Sequence, residues 1–191
     1  MLKKNTHCSF CGFKFESEKW PRTCTNPNPV KKDDDGNDVF CRNISYINPL
    51  PVTVAIVPVV LWARTAFRGK PGVLVVRRGE EPGKGLLALP GGYMDVGELW
   101  QEGLVRELRE ETGVASDAGC VTLLTVETSL RHSSILMFGR IPMIHPEALN
   151  EFKPSHEVSE LVVLTEPQEL AFPTHTDVLR RHFAGDFDHL K

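Results

Sequence analysis

Two segments, separated by seven residues, set the architecture of this 191-residue chain: Gly92-Tyr-Met-Asp-Val-Gly-Glu98 and Arg106-Glu-Leu-Arg-Glu-Glu-Thr-Gly-Val114. Six acidic residues between 92 and 114 oppose two arginines, so this stretch carries a charge of −4 in a chain whose net charge is −3. Compact carboxylate clusters bind hard divalent cations, which take oxygen ligands. The stretch therefore predicts a cation site.

The residues from Leu99 to Thr112 have the pattern of one amphipathic helix. At about 100° per residue, Leu104 and Leu108 lie on its apolar face. The adjacent shoulder carries three glutamates, Glu107, Glu110 and Glu111. Like charges three or four residues apart destabilise a bare helix by about a few tenths of a kcal/mol per pair. A bound cation would make the proximity of these glutamates stabilising.

Two glycines bear on this helix. Gly113 follows its last turn and suits the left-handed position just beyond a helix, where other residues are strained. Gly103 lies inside the helix, although glycine there costs up to about 1 kcal/mol relative to alanine. We expect a strand or loop to approach Gly103 closely.

The complete spacing resembles the Nudix box without a departure: Gly92-x5-Glu98-x7-Arg106-Glu107-Leu108-x-Glu110-Glu111-x-Gly113-Val114. The seven glycine, arginine and glutamate positions of this pattern, at average usage, coincide by chance in about one window in 10⁸ or fewer. A solvated, glutamate-rich helix face is the alternative for any three glutamates, but it does not account for that spacing. The resemblance implies an α/β (α+β) fold, a Nudix-type α/β/α sandwich in which a mixed sheet packs between helices.

The rest of the chain fits that implied order of elements. Strands are predicted at 52–61, 72–78, 86–89, 121–129, 134–141 and 161–165, a hairpin turn at 130–133 and a closing helix at 174–183. These strand segments are rich in β-branched and apolar residues, and glycine or proline marks several of the turns between them.

The resemblance also implies an activity. Nudix hydrolases cleave the diphosphate linkage of a nucleoside diphosphate joined to another group, as in ADP-ribose, NADH or FAD, and they use Mg²⁺ or Mn²⁺. By position in the box, the metal ligands are Glu107, Glu110 and Glu111. Glu98 matches a supporting glutamate near the metal, and Arg106 matches the arginine that orients a glutamate through an ion pair. These five residues form the candidate catalytic set.

The general base in this family is either a box glutamate or a glutamate on a later loop. In this chain Glu157 and Glu160 precede the strand predicted from Leu161, which places both in such a loop. Solvated loop charges are the alternative interpretation of these two side chains. The sequence leaves the base open between the box and this loop.

Groups for substrate binding lie at the end of one strand and at the start of the box. We predict contributions from Arg77, Arg78, Gly91 and Gly92. Covering of the sheet edge is the alternative role of the two arginines. Trp20, Phe138 and Arg140 are further candidates for contact with a nucleotide base. The runs that mark NADH-, ADP-ribose- and dinucleoside polyphosphate-cleaving members are absent, so the sequence does not select a substrate.

Four of the five cysteines lie in the first 41 residues. Cys8 and Cys11 form a Cys-x2-Cys knuckle of the zinc-ribbon type, and with Cys24 and Cys41 they make a four-cysteine set for a structural Zn²⁺. Sixteen residues separate the second pair. We therefore expect the polar segment 26–38 to be an inserted loop, which adds little closure entropy. A metal-free thiol cluster is the alternative.

Some Nudix proteins carry an N-terminal ribbon followed by a Tyr-x-Asn-Pro run, which Tyr46-Ile-Asn-Pro49 resembles. We therefore predict a zinc-ribbon-like module at 1–49 and a Nudix hydrolase domain at 50–191. Four cysteine ligands would leave no open position on the metal, so the module is expected to be structural or dimer-forming rather than catalytic. His7 is an alternative ligand.

Composition narrows the range of partners. The pI near 6.2 lacks the basic excess of a nucleic-acid binder, and the longest apolar run, 52–63, is too short to span a membrane. The first residues lack the apolar core of a signal peptide, and clustered cysteines are typical of metal sites in the reducing cytosol. We expect a cytoplasmic protein that acts on a small-molecule nucleotide and binds neither nucleic acid nor membrane.

Two other functions are considered at this stage. A non-hydrolysing Nudix-type sensor would bind a nucleotide metabolite and signal through a partner, but such proteins usually lose box glutamates or carry a DNA-binding extension. Neither feature is seen in this sequence. A zinc-ribbon nucleic-acid module is disfavoured by the local acidity and by the lack of a basic stripe.

Overall fold

The structure is a computed structural model that describes residues 6–16, 19–61 and 71–190. The chain divides into two compact units, Met1–Asn48 and Pro49–Lys191. Within the described ranges, no helix is both long enough and apolar enough to cross a membrane.

The smaller unit contains two short antiparallel strand pairs. Strands β1 (Arg22–Thr23) and β4 (Ile44–Ser45) form one pair, and β2 (Pro29–Lys32) and β3 (Asp38–Phe40) form the other. The polar segment 26–38 is therefore a hairpin arm rather than the loop that the sequence predicted. Its turn is closed by Asp33, whose Oδ1 accepts the N–H groups of Asp35 and Asn37, while Gly36 supplies a left-handed φ of 82°.

The larger unit alternates strands and helices. Its strands are β5 (Leu50–Ile56), β6 (Pro58–Val59), β7 (Gly72–Arg78), β8 (Leu87–Ala88), β9 (Gly91–Tyr93), β10 (Thr122–Thr128), β11 (Ser134–Arg140) and β12 (Val158–Leu164). Its α-helices are α1 (Trp100–Thr112) and α2 (Pro173–Ala184), and short 3₁₀ turns occur at Ala118–Cys120 and Pro146–Leu149. The predicted β10–β11 hairpin and both predicted helices are confirmed.

The strands form two sheets. One has the order β10-β11-β5-β9 and is mixed, because β5 is parallel to β11 and antiparallel to β9. The other has the order β12-β7-β6, with β8 also paired to β7. The single strand predicted at 52–61 is divided between these sheets. Pro58 has no N–H with which to continue the first ladder, and the chain pairs with β7 from that residue onward.

Alternate residues of the central strands build two cores. On β5, Val54 and Ile56 pack in the cluster that contains the buried side chains of α2, whereas Ala55 and Val57 pack in the cluster that contains Leu104 and Leu108 of α1. Strand side chains alternate between the two faces of a sheet, so the strands form a layer between the two helices. The predicted α/β/α sandwich with a mixed sheet is confirmed.

Candidate active site

Strand β9, the loop after it and helix α1 carry the acidic cluster. Leu104 and Leu108 are fully buried, which fixes the rotation of the helix and leaves its glutamates on the shoulder. The helix begins where the N–H of Leu99 donates to the Glu102 carboxylate, at 2.8 Å. It ends at Gly113, whose φ of 77° and N–H bond to the Arg109 carbonyl make the predicted left-handed cap.

Arg106 lies at the centre of the cluster and contacts three carboxylates. Its Nη2 and Nε donate to the two oxygens of Glu98 at 2.9 and 3.1 Å. Its Nη1 donates to Glu107 at 2.8 Å and to Glu110 at 3.2 Å, and Nη2 also donates to the Tyr93 carbonyl. The bidentate bond to Glu98 raises the pKa of the Arg106 guanidinium and lowers the pKa of the Glu98 carboxyl.

Glu111 occupies a different position from the other predicted metal ligands. Its Oε2 accepts the backbone N–H of Gly91 at 2.8 Å. Burial, with a smaller contribution from the charge of Glu107, raises the pKa of the Glu111 carboxyl to about 8. Burial also raises the pKa of Glu107, although Arg106 opposes that change. The single positive charge of Arg106 therefore does not balance the negative charges that the carboxylates of this cluster can carry.

Three glycines have no room for a side chain. A Cβ atom on Gly92 would lie 2.5 Å from the Glu107 carboxyl, and one on Gly91 would lie 2.1 Å from the Thr53 carbonyl oxygen. A Cβ on Gly103 would lie 2.7 Å from Glu98 Oε1. The close approach expected at Gly103 therefore comes from the Glu98 side chain of the loop. At Gly92 and Gly103 the missing side chain lets a carboxylate approach the backbone, and at Gly91 it lets β9 approach β5.

The two predicted substrate-binding arginines face different surroundings. Arg77 donates to Glu160 Oε2 at 2.6 Å and to the Gly85 carbonyl, so its guanidinium is engaged at the sheet. Arg78 donates to the Pro82 carbonyl at 2.7 Å, and its guanidinium lies 5.2 Å from the centre of the Phe172 ring. Burial raises the pKa of Glu111, and the positive charge of Arg78 makes a smaller, opposing contribution, so Arg78 acts electrostatically on the cluster.

The two candidate loop bases are also distinguished. Strand β12 begins at Val158, so Glu160 lies in the strand and not in the loop that the sequence predicted; its register partner is Arg77. Glu157 lies in the preceding loop, and its own backbone carbonyl accepts the Gly79 N–H at 2.6 Å. After burial, the charge of Glu157 makes a smaller contribution to the raised pKa values of Glu107 and Glu111, so Glu157 acts electrostatically on the cluster.

The sequence model of the NUDIX domain matches residues 55–184, about two thirds of the chain. This protein belongs to the Nudix family. Its box is the loop and helix described above, and the resemblance read from the sequence is confirmed.

Several relatives place this Nudix chain among known proteins. It is 48% identical over 42 residues to an ADP-ribose pyrophosphatase of Methanocaldococcus jannaschii, a match that covers 22% of this chain and 25% of that protein. A Nudix hydrolase structure from Nitrosomonas europaea aligns with a TM-score of 0.62 at 20% identity, over 96% of this chain and 93% of the other. The Nudix domain of Shewanella oneidensis NrtR, solved with ADP ribose, aligns with a TM-score of 0.57 at 20% identity, over 71% and 87%.

Two further candidates for base contact, Phe138 and Arg140, are engaged elsewhere in the larger unit. Phe138 is fully buried in the core, and Arg140 donates to the carbonyls of Phe187 and Leu190. Trp20 belongs to the smaller unit, where Arg22 lies 4.2 Å from its ring. Phe172 and His175 near Arg78 were not predicted, because neither belongs to a motif. The start of a helix at Pro173 was the one signal in that segment.

The four N-terminal cysteines meet in the smaller unit. Their sulfur atoms all lie within 4.8 Å of one another; Cys8 and Cys41 are 3.8 Å apart, and Cys11 and Cys24 are 3.5 Å apart. A tetrahedral Zn²⁺ with bonds of about 2.3 Å separates its sulfur ligands by about 3.8 Å. The geometry therefore fits a four-cysteine zinc site. His7 is outside this group; its Nδ1 lies 2.8 Å from Thr6 Oγ1.

Neighbouring polar groups suit thiolates at this site. The side-chain amides of Asn26 and Asn43 donate to the sulfurs of Cys11 and Cys8, each at 3.6 Å. Burial opposes ionisation of Cys8, but backbone hydrogen bonds from Cys11 and Phe10 prevail and lower the pKa of its thiol to about 6. Burial raises the pKa of Cys24 to about 12. A cation is the partner that would allow all four thiols to ionise together.

Proposed function

We propose that this protein is a divalent-metal-dependent pyrophosphatase that hydrolyses the diphosphate linkage of a nucleoside diphosphate joined to another group. The observation that carries the proposal is the Arg106-centred cluster, in which Arg106 binds Glu98, Glu107 and Glu110 and partial burial raises the pKa values of Glu107 and Glu111. The match spans 25% of the length of the Methanocaldococcus jannaschii relative. ADP-ribose is the first candidate substrate, since that relative is an ADP-ribose pyrophosphatase and the NrtR domain was solved with ADP ribose.

The donor set fits Mg²⁺ or Mn²⁺, which prefer carboxylate oxygens. Glu107, Glu110 and Glu111 would hold the metal. Burial, and to a smaller extent the neighbouring like charges, raises the pKa values of Glu107 and Glu111, and a bound cation would offset both effects. When bound, such a metal neutralises diphosphate charge and lowers the pKa of a bound water. Arg106 and Glu98 keep the ligand carboxylates in place, and the Gly91 N–H does the same for Glu111.

Glu157 is our candidate for the general base. Its backbone carbonyl accepts the Gly79 N–H, and its charge acts on Glu107 and Glu111. Among the described residues no arginine forms an ion pair with it; its Oε1 lies 3.6 Å from His156 Nε2. A carboxylate in that position accepts a proton from the attacking water. Glu160 is bound to Arg77 instead, so it is assigned a structural role at the sheet.

Arg78 is the candidate phosphate-binding side chain. It faces the box, whereas Arg77 is occupied by Glu160 and the Gly85 carbonyl. A guanidinium binds the oxygens of a diphosphate through charge-assisted hydrogen bonds. We propose that Gly91 and Gly92 allow the box to close around the carboxylates and that their backbone groups contact the substrate.

We also propose that Cys8, Cys11, Cys24 and Cys41 bind one structural Zn²⁺. Four ligands leave no open position, so the module would stabilise its own fold or a homodimer rather than take part in hydrolysis. Clustered cysteines remain reduced in a reducing compartment, and we propose a cytoplasmic location for that reason.

A substrate panel tests the proposed activity. ADP-ribose, NADH, FAD, dinucleoside polyphosphates and sugar nucleotides are each incubated with the protein and Mg²⁺ or Mn²⁺, and product nucleotides are quantified. Hydrolysis that disappears in Glu111→Gln supports the proposal. Binding of ADP-ribose without hydrolysis of any compound would instead establish the non-hydrolysing sensor.

The base assignment has a matched pair of variants. Glu157→Gln is expected to lower kcat by about 100-fold or more, because it removes proton acceptance and leaves the metal ligands unchanged. Glu160→Gln, three residues away, is expected to change kcat by less than about threefold. Equal activity in the two variants would move the base to a box glutamate.

A further inference from the structure

A stack of four side chains runs from the end of β7 past the start of α2 to β11. The Arg78 guanidinium lies 5.2 Å from the centre of the Phe172 ring, at a distance typical of a cation–π contact. The Phe172 and His175 rings meet edge to face with centres 5.0 Å apart. Behind them, the buried ring of Phe138 meets His175 edge to face at 5.5 Å. The order in space is therefore Arg78, Phe172, His175 and Phe138.

The backbone holds this stack from two sides. Phe172 precedes α2, where its carbonyl accepts the Thr176 N–H, and the Leu170 N–H donates to the Thr176 hydroxyl at 2.9 Å. The Ala171 N–H donates to the Leu87 carbonyl of β8 at 2.7 Å. The loop that carries the Phe172 ring is therefore fixed to both the helix and the sheet, and His175 is buried one turn along.

The outer end of the stack faces the proposed active site. The Arg78 N–H donates to the Leu86 carbonyl at 2.9 Å, and the segment that follows Leu86 leads through β8 to Gly91, whose N–H donates to Glu111. The charge of Arg78 also makes a smaller contribution, after burial, to the pKa values of Glu111 and His175. The Pro82 carbonyl accepts the Arg78 Nε–H, and within residues 6–16, 19–61 and 71–190 no hydrogen bond engages the terminal guanidinium nitrogens, which can donate to an anion. Without the ring beneath it, this long side chain would have many more orientations.

We propose that His175 is a positioning residue: its imidazole ring supports Phe172, and Phe172 holds Arg78 beside the Nudix-box carboxylates to receive the diphosphate. This inference rests on the proposed hydrolase function. His175 does not touch the substrate, and its effect reaches the reaction through the orientation of Arg78.

Kinetics with ADP-ribose and Mg²⁺ provide the first test. His175→Leu removes the ring and is expected to raise KM by about three- to tenfold while kcat stays within about twofold. The reason is that a less ordered Arg78 would weaken binding of the ground state and of the transition state by the same amount. His175→Phe keeps an aromatic ring and is expected to keep KM within about twofold of wild type. In the Arg78→Gln background, His175→Leu should have no further effect on KM.

Two outcomes overturn the inference. One is a KM increase of equal size in the wild-type and Arg78→Gln backgrounds, since His175 would then not act through Arg78. The other is an unchanged KM in a destabilised His175→Leu protein, which would reduce His175 to a packing role. Should His175→Leu fail to fold, Phe172→Leu and Phe172→Tyr replace the pair, with the same expectations for loss and retention of the ring.

An NMR measurement separates this inference from the proposed activity. In the metal-free protein, the Arg78 Nε–H resonance is expected to be shifted by the Phe172 ring, and His175→Leu is expected to move it. The Arg77 Nε–H, which donates to Glu160, is the internal control and should stay in place. An unmoved Arg78 resonance overturns the positioning role even if hydrolysis is found. A moved resonance in a protein that hydrolyses nothing overturns the proposed function alone.

Discussion

The charges of the box are organised by one side chain. Arg106 contacts Glu98, Glu107 and Glu110 through its three guanidinium nitrogens. It is only about a quarter exposed, so these hydrogen bonds are less screened than those of a surface ion pair. The positions of Glu107 and Glu110, two of the proposed metal ligands, therefore depend largely on one residue.

Replacement of Arg106 by glutamine is expected to lower kcat/KM by about 10- to 100-fold, because the carboxylates lose charge-assisted hydrogen bonds of about 1.5–3 kcal/mol and repel one another. Hydrolysis of ADP-ribose with Mg²⁺ gives the rate. Arg109→Gln is the control, since it removes an exposed guanidinium from the same helix. Equal losses in the two variants would mean that net charge, and not the Arg106 contacts, controls activity.

Gly103 provides a second prediction at this scale. Alanine inside a helix normally stabilises it by up to about 1 kcal/mol. Here the added Cβ would lie 2.7 Å from Glu98 Oε1, and the flexible Glu98 side chain would have to leave Arg106. We expect Gly103→Ala to keep or raise Tm while kcat/KM falls about tenfold.

Thermal unfolding and kinetics on the same preparation test whether Gly103→Ala keeps or raises Tm while it lowers kcat/KM. Glu98→Gln, which weakens the same contact without crowding the helix, should reproduce the kinetic loss. A Gly103→Ala protein with wild-type kcat/KM would show that the Glu98–Arg106 bond is dispensable.

At the scale of elements, each helix anchors a different side of the catalytic region. Helix α1 presents the carboxylates, and its buried leucines fix their direction. The first turn of α2 buries His175, whose Nδ1 has no hydrogen-bond partner among the described residues. Burial, with a smaller contribution from Arg78, lowers the pKa of His175 to about 3. This helix is therefore sensitive to acid.

The free energy of unfolding should fall as the pH is lowered from 7 toward 3. The unfolded chain binds a proton at His175 near pH 6.5, whereas the folded chain resists it until about pH 3, so stability is retained above pH 6.5 and lost below it. The His175 contribution between pH 7 and pH 5 is about 2 kcal/mol.

Urea unfolding of wild type and His175→Phe at both pH values measures this contribution. The variant should lose about 2 kcal/mol less between pH 7 and pH 5. An identical pH dependence in the two proteins would mean that the imidazole titrates normally in the folded state.

At the scale of the whole molecule, the chain consists of two units with different sources of stability. The larger unit has two extended apolar cores on the faces of its sheets. In the smaller unit, the buried cluster consists of Cys8, Cys24 and Cys41 with a few partly buried neighbours. So small a core rarely supplies a stable fold without a metal or a disulfide.

Zinc removal is therefore expected to unfold the smaller unit and leave the larger one folded. About one zinc per chain should be found in purified protein, and a strong chelator should collapse the amide spectrum of residues 6–48 toward random-coil shifts. The amide resonances of residues 71–190 should persist. Cys24→Ser is expected to give the same spectrum as the chelated protein, whereas Cys120→Ser, at an exposed and isolated position, should bind zinc normally.

Less than about half a zinc per chain, with residues 6–48 still folded, would establish the cluster as metal-free thiols. Loss of structure in both units on chelation would contradict the separate sources of stability.

The sequence alone determined the family, the helix that bears the glutamates and the cysteine set, because these depend on local spacing. A 3.6-residue period puts Glu107 and Glu111 on one shoulder wherever the helix is placed. Only the tertiary structure decided which of Glu157 and Glu160 faces the box, which of Arg77 and Arg78 is free for an anion, and that Phe172 and His175 lie beneath it. Neighbouring residues on a strand point to opposite faces, and a shift of the strand's start moves a side chain from loop to sheet. Such choices depend on register and on contacts between distant segments, which local spacing does not encode.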